Sequence, residues 1–128
     1  MSTRTPGHGS FCWNELMTTD PAAAQAFYGR MFGWSYQDMP GEEPYAVIRC
    51  GEQGQGGVMG MPAEAAGMPP SWGAYVAVDD VDARAKLAEE LGGKVLMAPR
   101  DIPDIGRFCV IRDPQGAVIS MITLSGGD

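Results

Sequence analysis

The segment Cys12–Trp34, CWNELMTTDPAAAQAFYGRMFGW, carries the strongest signals of the fold. Its beginning, Cys12–Thr18, predicts a strand whose side chains alternate between two faces. Asp20 predicts a helix start, because its carboxylate can accept hydrogen bonds from free amides of the first turn and the proline that follows needs no donor there. Gly33 predicts the helix end, since glycine adopts the left-handed conformation readily. The helix also carries an apolar stripe with four-residue spacing, formed by Ala23, Phe27 and Met31.

The same unit recurs sixty positions later (80 − 20 = 60). Asp20 aligns with Asp80 and Gly33 with Gly93, which predicts a second strand at 72–78 and a second helix at 81–91. Two further segments also repeat: YAVIR from Tyr45 resembles FCVIR from Phe108 at an offset of 63, and GVMGM at 57–61 aligns with AVISM at 117–121 at an offset of 60. Each half therefore reads as strand, helix and three strands. A half of this size cannot bury its own sheet face, so we expect both halves to form one domain.

This duplicated module resembles the vicinal oxygen chelate superfamily, which includes glyoxalase I, the bleomycin and fosfomycin resistance proteins and the extradiol dioxygenases. The segments that carry the resemblance are DPAAAQAFYGRMFGW after the first strand and RDPQGAVI before the last strand. The resemblance implies an α+β fold in which two βαβββ modules form a curved mixed sheet around a cleft. It covers about residues 11–124, with module one at about 11–61 and module two at about 72–124. Residues 1–10 are polar and are expected to form a flexible tail.

Composition excludes several classes of partner. The chain has 128 residues, a formal net charge of −7 and a pI near 4.5, which argues against nucleic acid or an anionic membrane surface. It contains no long apolar stretch and no export signal, so we expect a cytoplasmic protein. Three cysteines, Cys12, Cys50 and Cys109, lack a metal-ligand spacing and are expected to be buried as small apolar residues.

Between the repeated segments lie three connections. Residues 51–57 are dense in glycine and predict a hairpin loop, residues 61–71 predict a stiff proline-rich joint, and residues 99–107 predict a long loop that is either plain surface or a lid over the cleft. The single histidine, His8, falls in the polar tail, where a solvated position is the simplest interpretation.

In metal-dependent relatives, the resemblance implies one divalent ion held by side chains from the first and last strand of each module. These positions fall on Trp13, Gly60, Gly73 and Ser120 in this chain. An indole, two glycines and one hydroxyl are not a credible ligand set, because divalent ions need nitrogen, thiolate or several oxygen donors. We therefore expect no metal cofactor, although a metal with displaced ligands stays open.

The remaining side chains at the expected cleft suggest a small-molecule site with aromatic walls and a few polar groups. Glu15 is the candidate general acid or base, because burial beside an indole would raise its pKa, yet pairing with Arg49 or Arg112 would keep it ionised. A second interpretation is that the aromatic side chains fill the space and leave no pocket. The candidate ligand-binding residues are Trp13, Glu15, Met17, Tyr75, Phe108 and Ser120.

Three functions compete at this stage. The first is a metal-free protein that binds a small aromatic or cationic molecule, as the bleomycin-resistance members do. The second is a lyase-, isomerase- or dioxygenase-type enzyme of the same superfamily, with displaced metal ligands or Glu15 as general base. The third is a structural or regulatory dimer with a filled cleft. The resemblance also implies a homodimer.

Overall fold

The computed structural model describes residues 7–40, 44–63, 67–102 and 105–125. Within these ranges the chain forms eight strands and two helices, and the predicted order of strand, helix and three strands, repeated once, is confirmed. The first module contains β1 (Phe11–Thr18), α1 (Pro21–Phe32), β2 (Ser35–Asp38), β3 (Tyr45–Cys50) and β4 (Gln53–Gly60). The second contains β5 (Ser71–Ala77), α2 (Val81–Glu90), β6 (Lys94–Ile102), β7 (Gly106–Arg112) and β8 (Val118–Leu124).

Two compact units correspond closely to the modules. Residues 13–73 form one unit, and residues 74–128 form the other together with the N-terminal residues up to position 12. In the first unit β1 pairs in parallel with β4, and β4, β3 and β2 are antiparallel neighbours. In the second unit β5 pairs in parallel with β8, and β8, β7 and β6 are antiparallel neighbours. Mixed pairing within each half agrees with the mixed sheet that the resemblance implies.

Both helices begin as the sequence predicts. The Asp20 carboxylate accepts from the amide of Ala23 at 3.0 Å, and the Asp80 carboxylate accepts from two amides of its first turn at 3.1 and 3.2 Å. Gly33 ends α1 in the left-handed conformation, with φ of 73°. The prediction that Gly93 plays this role in the second half is wrong: α2 is shorter and Gly92 adopts φ of 95°. Gly93 instead allows close backbone packing, since a Cβ there would lie 2.8 Å from a carbonyl oxygen of β7.

The apolar stripe of α1 lies mostly in solvent. Phe27 is 57% exposed and Met31 is 59% exposed. The residues of α1 that pack on the sheet are Ala24 and Tyr28, one position further along, because the helix is rotated relative to the stripe that its spacing suggests. They contact a core formed by Leu16, Ile48 and Val58. The corresponding core under α2 consists of Val81, Ala85, Cys109 and Met121.

The strand register corrects the sequence alignment of the repeats. In the first unit Tyr45 lies opposite Met59, and in the second Phe108 lies opposite Ile122, so the offset is 63 for both strands of each pair. The last strand therefore does not return to the offset of 60 that the sequence suggested. Consequently the residue of module one that corresponds to Ser120 is Gly57 and not Gly60, because Glu15 pairs with Gly57 where Tyr75 pairs with Ser120.

Two predicted loops are largely strand. β4 begins at Gln53, so most of the glycine-dense segment belongs to the sheet, where glycines allow close approach of neighbouring groups. β6 extends to Ile102 and β7 begins at Gly106, so the predicted loop over 99–107 is also wrong, while residues 103–104 lie outside the described ranges. Pro99 is tolerated within β6 because it lies at a register shift, where no ladder hydrogen bond is required.

The N-terminal residues that the structure describes are bonded to β5. The amide of Gly9 donates to the carbonyl of Ala77 at 2.7 Å, and the amide of Ala77 donates to the carbonyl of Ser10 at 2.8 Å. His8 accepts from the amide of Asp79 at 3.0 Å through Nδ1, with its side chain 47% exposed. These bonds explain why residues 7–12 belong to the second compact unit.

The cysteines differ from one another in burial. Cys109 is fully buried in the core under α2, as predicted. Cys12 is half-buried, and Cys50 is exposed because β3 ends there, directly before the left-handed Gly51. The expectation of burial is therefore wrong for Cys50. Among the described residues neither helix has the length and apolar character needed to cross a membrane.

Candidate functional site

A chain of polar side chains lies on the face of the first unit opposite α1. The indole Nε1 of Trp13 donates to the Tyr45 hydroxyl at 2.9 Å, and that hydroxyl is in turn hydrogen bonded to Glu15. Since the hydroxyl oxygen already accepts the indole proton, its own proton is available to the Glu15 carboxylate. We call these three residues the Trp13–Tyr45–Glu15 triad.

Strand alternation explains why these side chains meet. Leu16 points towards α1, so its neighbour Glu15 points to the opposite face. Glu15 pairs with Gly57 on β4, and Tyr45 lies diagonally across from the same glycine. The absence of a side chain at Gly57 is required here, because a Cβ would overlap the ring and hydroxyl of Tyr45. Gly57 thus makes the space in which the tyrosine reaches the glutamate.

A second glycine supports the indole. The ring of Trp13 lies against Gly54, with its Cη2 atom 3.6 Å from the position of a Cβ. Trp13 and Tyr45 are both half-buried, whereas Glu15 is only 3% exposed. The triad therefore combines two partly exposed aromatic side chains with a buried carboxylate.

The protonation state of Tyr45 follows from its surroundings. Burial raises the pKa of the Tyr45 hydroxyl most strongly, and the Glu15 carboxylate raises this pKa further, against a smaller lowering by the Trp13 hydrogen bond. The hydroxyl is therefore held in its protonated form at neutral pH. Chemically, the triad offers a carboxylate that can accept a proton or a hydrogen bond and a phenol that donates a hydrogen bond to that carboxylate.

Arg49, one of two arginines considered as partners of Glu15, makes other contacts. Its guanidinium donates to Gln37 Oε1 at 3.2 Å and to the backbone carbonyl of Glu52. Met17, the remaining predicted site residue of β1, is half-buried and pairs in register with Met59. The first unit therefore brings together Trp13 and Glu15 in one polar cluster, with Met17 further along the same face.

The predicted site residues of the second unit lie close to one another. Tyr75 is 1% exposed, and its ring lies 6.1 Å from that of Phe108, with 48° between the planes. Ser120 is also buried and pairs in register with Tyr75. These three residues share the sheet face opposite α2, as alternation predicts.

The four positions where metal-dependent relatives place ligands do not fit a metal ion. The Trp13 indole has only a donor and uses it on Tyr45. Gly60 and Gly73 have no side chain, and the register places another glycine, Gly57, at the equivalent of Ser120. In the described part of the chain, no three His, Cys, Asp or Glu side chains are grouped so that they could hold a metal. The donor chemistry of these positions therefore gives no ligand set.

Tyr45 is the site residue that sequence reasoning missed. A signal existed, because Tyr45 aligns with Phe108, which was a candidate residue of module two. Applying the repeat in reverse would have placed an aromatic hydroxyl beside Glu15. The contact itself also depends on Gly57, whose role is visible only from the strand register.

Comparison with known proteins shows the class to which this duplicated fold belongs. The profile of the Glyoxalase/Bleomycin resistance protein/Dioxygenase superfamily matches residues 11–121. The chain therefore belongs to this superfamily. The match includes the whole Trp13–Tyr45–Glu15 triad and the cluster around Tyr75.

Two curated relatives are similar to most of this chain. The protein "Putative glyoxylase CFP32" of Mycobacterium bovis is 42% identical over 116 residues, which cover 89% of this chain and 44% of the relative. Anthracycline biosynthesis protein DnrV of Streptomyces peucetius is 32% identical over 127 residues, which cover 88% of this chain and 46% of the relative. The chain thus spans about half the length of the curated relatives it matches.

Solved structures confirm the predicted glyoxalase-like fold. Methylmalonyl-CoA epimerase from Mycobacterium tuberculosis matches with a TM-score of 0.65 at 15% identity, over 98% of this chain and 93% of the epimerase chain. A variant of homoprotocatechuate 2,3-dioxygenase from B. fuscum matches with a TM-score of 0.62 at 19% identity, over 94% of this chain and 34% of the dioxygenase chain. At these identities the likeness concerns the fold alone.

Proposed function

We propose that this chain is a small-molecule-binding protein of the glyoxalase superfamily whose site is the Trp13–Tyr45–Glu15 triad and needs no metal ion. The observation that carries the proposal is the hydrogen-bonded chain from the indole through the phenol to a buried carboxylate. A hydrogen-bonded polar cluster with a buried carboxylate beside half-buried aromatic side chains is typical of a ligand site.

The triad favours a planar aromatic ligand that carries a hydrogen-bond donor. The half-buried side chains of Trp13 and Tyr45 offer aromatic surface for stacking, and Glu15 can accept from a hydroxyl or an ammonium group. The net charge of −7 further favours a cationic ligand over an anionic one. Similarity to a relative named for anthracycline biosynthesis supports the aromatic part of this proposal.

Fluorescence of Trp13 tests the proposal directly. Replacing Trp34→Phe and Trp72→Phe leaves Trp13 as the one tryptophan of the three. This protein is titrated with planar aromatic compounds that are neutral, phenolic or cationic, in the presence of a chelator. We expect saturable quenching by phenolic or cationic compounds, unchanged by the chelator.

The variant Glu15→Gln identifies the role of the carboxylate. We expect it to weaken binding by about tenfold, equivalent to about 1.4 kcal/mol. The exposed acid Glu52 provides the matched control, because Glu52→Gln changes the net charge equally and should leave binding unchanged. A flat response to all compounds would contradict the proposed function, and loss of binding on chelation would contradict its metal independence.

A second candidate is an enzyme of the same superfamily that uses Glu15 as general base. The buried carboxylate favours it, because Glu15 can remove a proton from a ligand and return it from its protonated form, with Tyr45 as its hydrogen-bond partner. Exchange of an acidic α-C–H for deuterium in D2O, measured on a panel of small carbonyl compounds, tests this candidate. Exchange that falls at least about 100-fold in Glu15→Gln would support catalysis.

The alternative with displaced metal ligands gives a different result. Elemental analysis of the purified protein would then find one divalent ion per chain, and removal of that ion would abolish exchange. Absence of exchange with every compound, together with ligand binding, would leave the binding function alone.

A further inference from the structure

An arginine lies on the sheet face that carries the triad. Val47 Cγ1 and Trp13 Cη2 approach the same point, the position of a Cβ on Gly54, at 3.5 and 3.6 Å. Arg49 follows Val47 by two residues on β3, and alternate residues of a strand share a face. Arg49 also donates to Gln37, which pairs in register with Val47. The guanidinium and the indole are therefore on the same side of the sheet.

The indole of Trp13 separates this arginine from the carboxylate of the triad. Its Nε1 edge donates to the Tyr45 hydroxyl, which is hydrogen bonded to Glu15. Its opposite edge, at Cη2 and Cζ3, lies 3.6 and 3.9 Å from the Cβ position of Gly54. Gly54 in turn pairs in register with Arg49. The aromatic surface thus has a carboxylate beyond one edge and a guanidinium beyond the other.

The hydrogen bonds of Arg49 orient its guanidinium without cancelling its charge. Within the part of the chain that the structure describes, its acceptors are Gln37 Oε1 at 3.2 Å and the backbone carbonyl of Glu52, and both are uncharged. By contrast, Arg84 and Arg107 each donate to aspartate carboxylates. The two bonds of Arg49 use two of the five N–H donors of a guanidinium. Arg49 is therefore suited to bind an anionic group.

We infer, resting on the proposed function, that the ligand carries a carboxylate that Arg49 binds, at the end opposite to the group from which Glu15 accepts. The ligand class is then a planar aromatic molecule with a hydroxyl or ammonium group at one end and a carboxylate at the other. A guanidinium matches the planar fork of a carboxylate and can bind both of its oxygens. An ammonium group compensates the carboxylate, so such a molecule is not repelled by the net charge of −7.

Isothermal titration calorimetry of the unmodified chain with matched pairs of compounds tests this inference. Each pair consists of para-(aminomethyl)benzoate, or its naphthalene analogue, and the corresponding primary amide, which keeps the shape and the ammonium group but lacks the anion. We expect an acid to bind about tenfold more tightly than its amide. Arg49→Gln should bring this ratio to about one and leave the affinity for the amide unchanged. Arg49→Lys should keep part of the preference, because it retains the charge and loses the fork.

Arg30→Gln is the matched control, because it removes the same charge from an exposed arginine of α1, and it should leave the ratio unchanged. Equal affinity for acids and amides in the unmodified chain would overturn the inference and leave the proposed function standing. Weaker binding of acid and amide alike in Arg49→Gln would also overturn it, since the arginine would then have only a structural role. Absence of binding by every compound would contradict the proposed function together with this inference.

Discussion

The two modules share one backbone plan but carry different chemistry on the sheet face opposite their helices. Three equivalent positions show this: Glu15, Tyr45 and Gly57 in module one correspond to Tyr75, Phe108 and Ser120 in module two. Module one joins a carboxylate to a phenol over a glycine. Module two has a tyrosine packed near a phenyl ring, with a serine in place of the glycine.

The difference indicates that the Tyr45 hydroxyl requires a glycine at position 57. Tyr45 needs the empty space at Gly57, because any Cβ there would overlap its ring. Phe108 lacks the hydroxyl, and the equivalent position holds Ser120. The candidate functional groups, a carboxylate and a phenol, thus lie in module one. The equivalent positions of module two hold two buried aromatic side chains.

The largest effect is expected from filling the space at Gly57. Gly57→Ala should destabilise the protein by about 3 kcal/mol and abolish ligand binding, because the new methyl group displaces Tyr45 from its bonded position. Chemical denaturation and the Trp13 fluorescence titration measure both effects. Gly60→Ala on the same strand is the control and should be nearly neutral, since a Cβ at that position would have no neighbouring atom within 4 Å. Equal effects at both glycines would refute the role of Gly57.

The reciprocal change in module two tests the pairing of glycine with hydroxyl. Phe108→Tyr should cost about 2 kcal/mol, because it adds a polar group to a buried site that already holds Ser120. Adding Ser120→Gly to Phe108→Tyr should recover part of this loss, although Ser120→Gly alone is destabilising. A double-mutant cycle by denaturation measures the coupling. Strict additivity would show that the two positions act independently.

Loss of the central hydroxyl is expected to have a moderate effect. Tyr45→Phe removes the acceptor of the Trp13 indole and the donor to Glu15, which should cost about 1–3 kcal/mol. Tyr36→Phe is the control, because the buried Tyr36 hydroxyl has no hydrogen-bond partner among the described residues. We expect Tyr36→Phe to be neutral or slightly stabilising. If Tyr45→Phe left the free energy of unfolding unchanged, the hydrogen bonds of the triad would not stabilise the protein.

The Tyr45 hydroxyl should also make stability depend on alkaline pH. Its pKa is raised in the folded protein, so its contribution is complete below the ordinary tyrosine pKa of about 10 and is lost as pH rises towards the folded pKa. Denaturation across this range should show a smaller decline for Tyr45→Phe than for the wild type. Parallel declines would contradict the raised pKa.

The smallest effect concerns an ion pair that only module two has. Arg107 donates to Asp82 at 2.7 and 3.0 Å, joining β7 to α2, whereas the equivalent residues of module one are Pro44 and Ala22. The guanidinium lowers the pKa of the Asp82 carboxyl, so its stabilisation is present above the ordinary aspartate pKa and is lost as pH falls through the lowered value.

Asp82→Asn should therefore reduce the Tm slightly at neutral pH, since both side chains are exposed, and the difference from wild type should vanish in acid. Thermal unfolding across acidic pH measures this. Asp38→Asn removes an exposed carboxylate on β2 and should show no such pattern. A difference that persists in strong acid would argue against the ion pair as its cause.

Much of the fold could be predicted because its signals are local. The caps at Asp20 and Asp80 and the alternation along β1 are properties of a few neighbouring residues. The loops over 51–57 and 99–107 could not be predicted, because glycine and proline are tolerated within strands where neighbouring strands determine the pairing. Of the candidate site, Trp13 and Glu15 followed from alternation, whereas Tyr45 did not.

The repeat in the sequence is sufficient to show two similar modules. The start of each helix and the shared face of the β1 side chains can also be predicted from sequence, since they depend on residues close along the chain. The three-residue shift of the last strand, which makes Gly57 the counterpart of Ser120, depends on strand pairing and is visible only in three dimensions. The same holds for the rotation of α1 that leaves Phe27 and Met31 in solvent. Strand register and helix rotation depend on pairing and packing between distant segments, which no local pattern specifies.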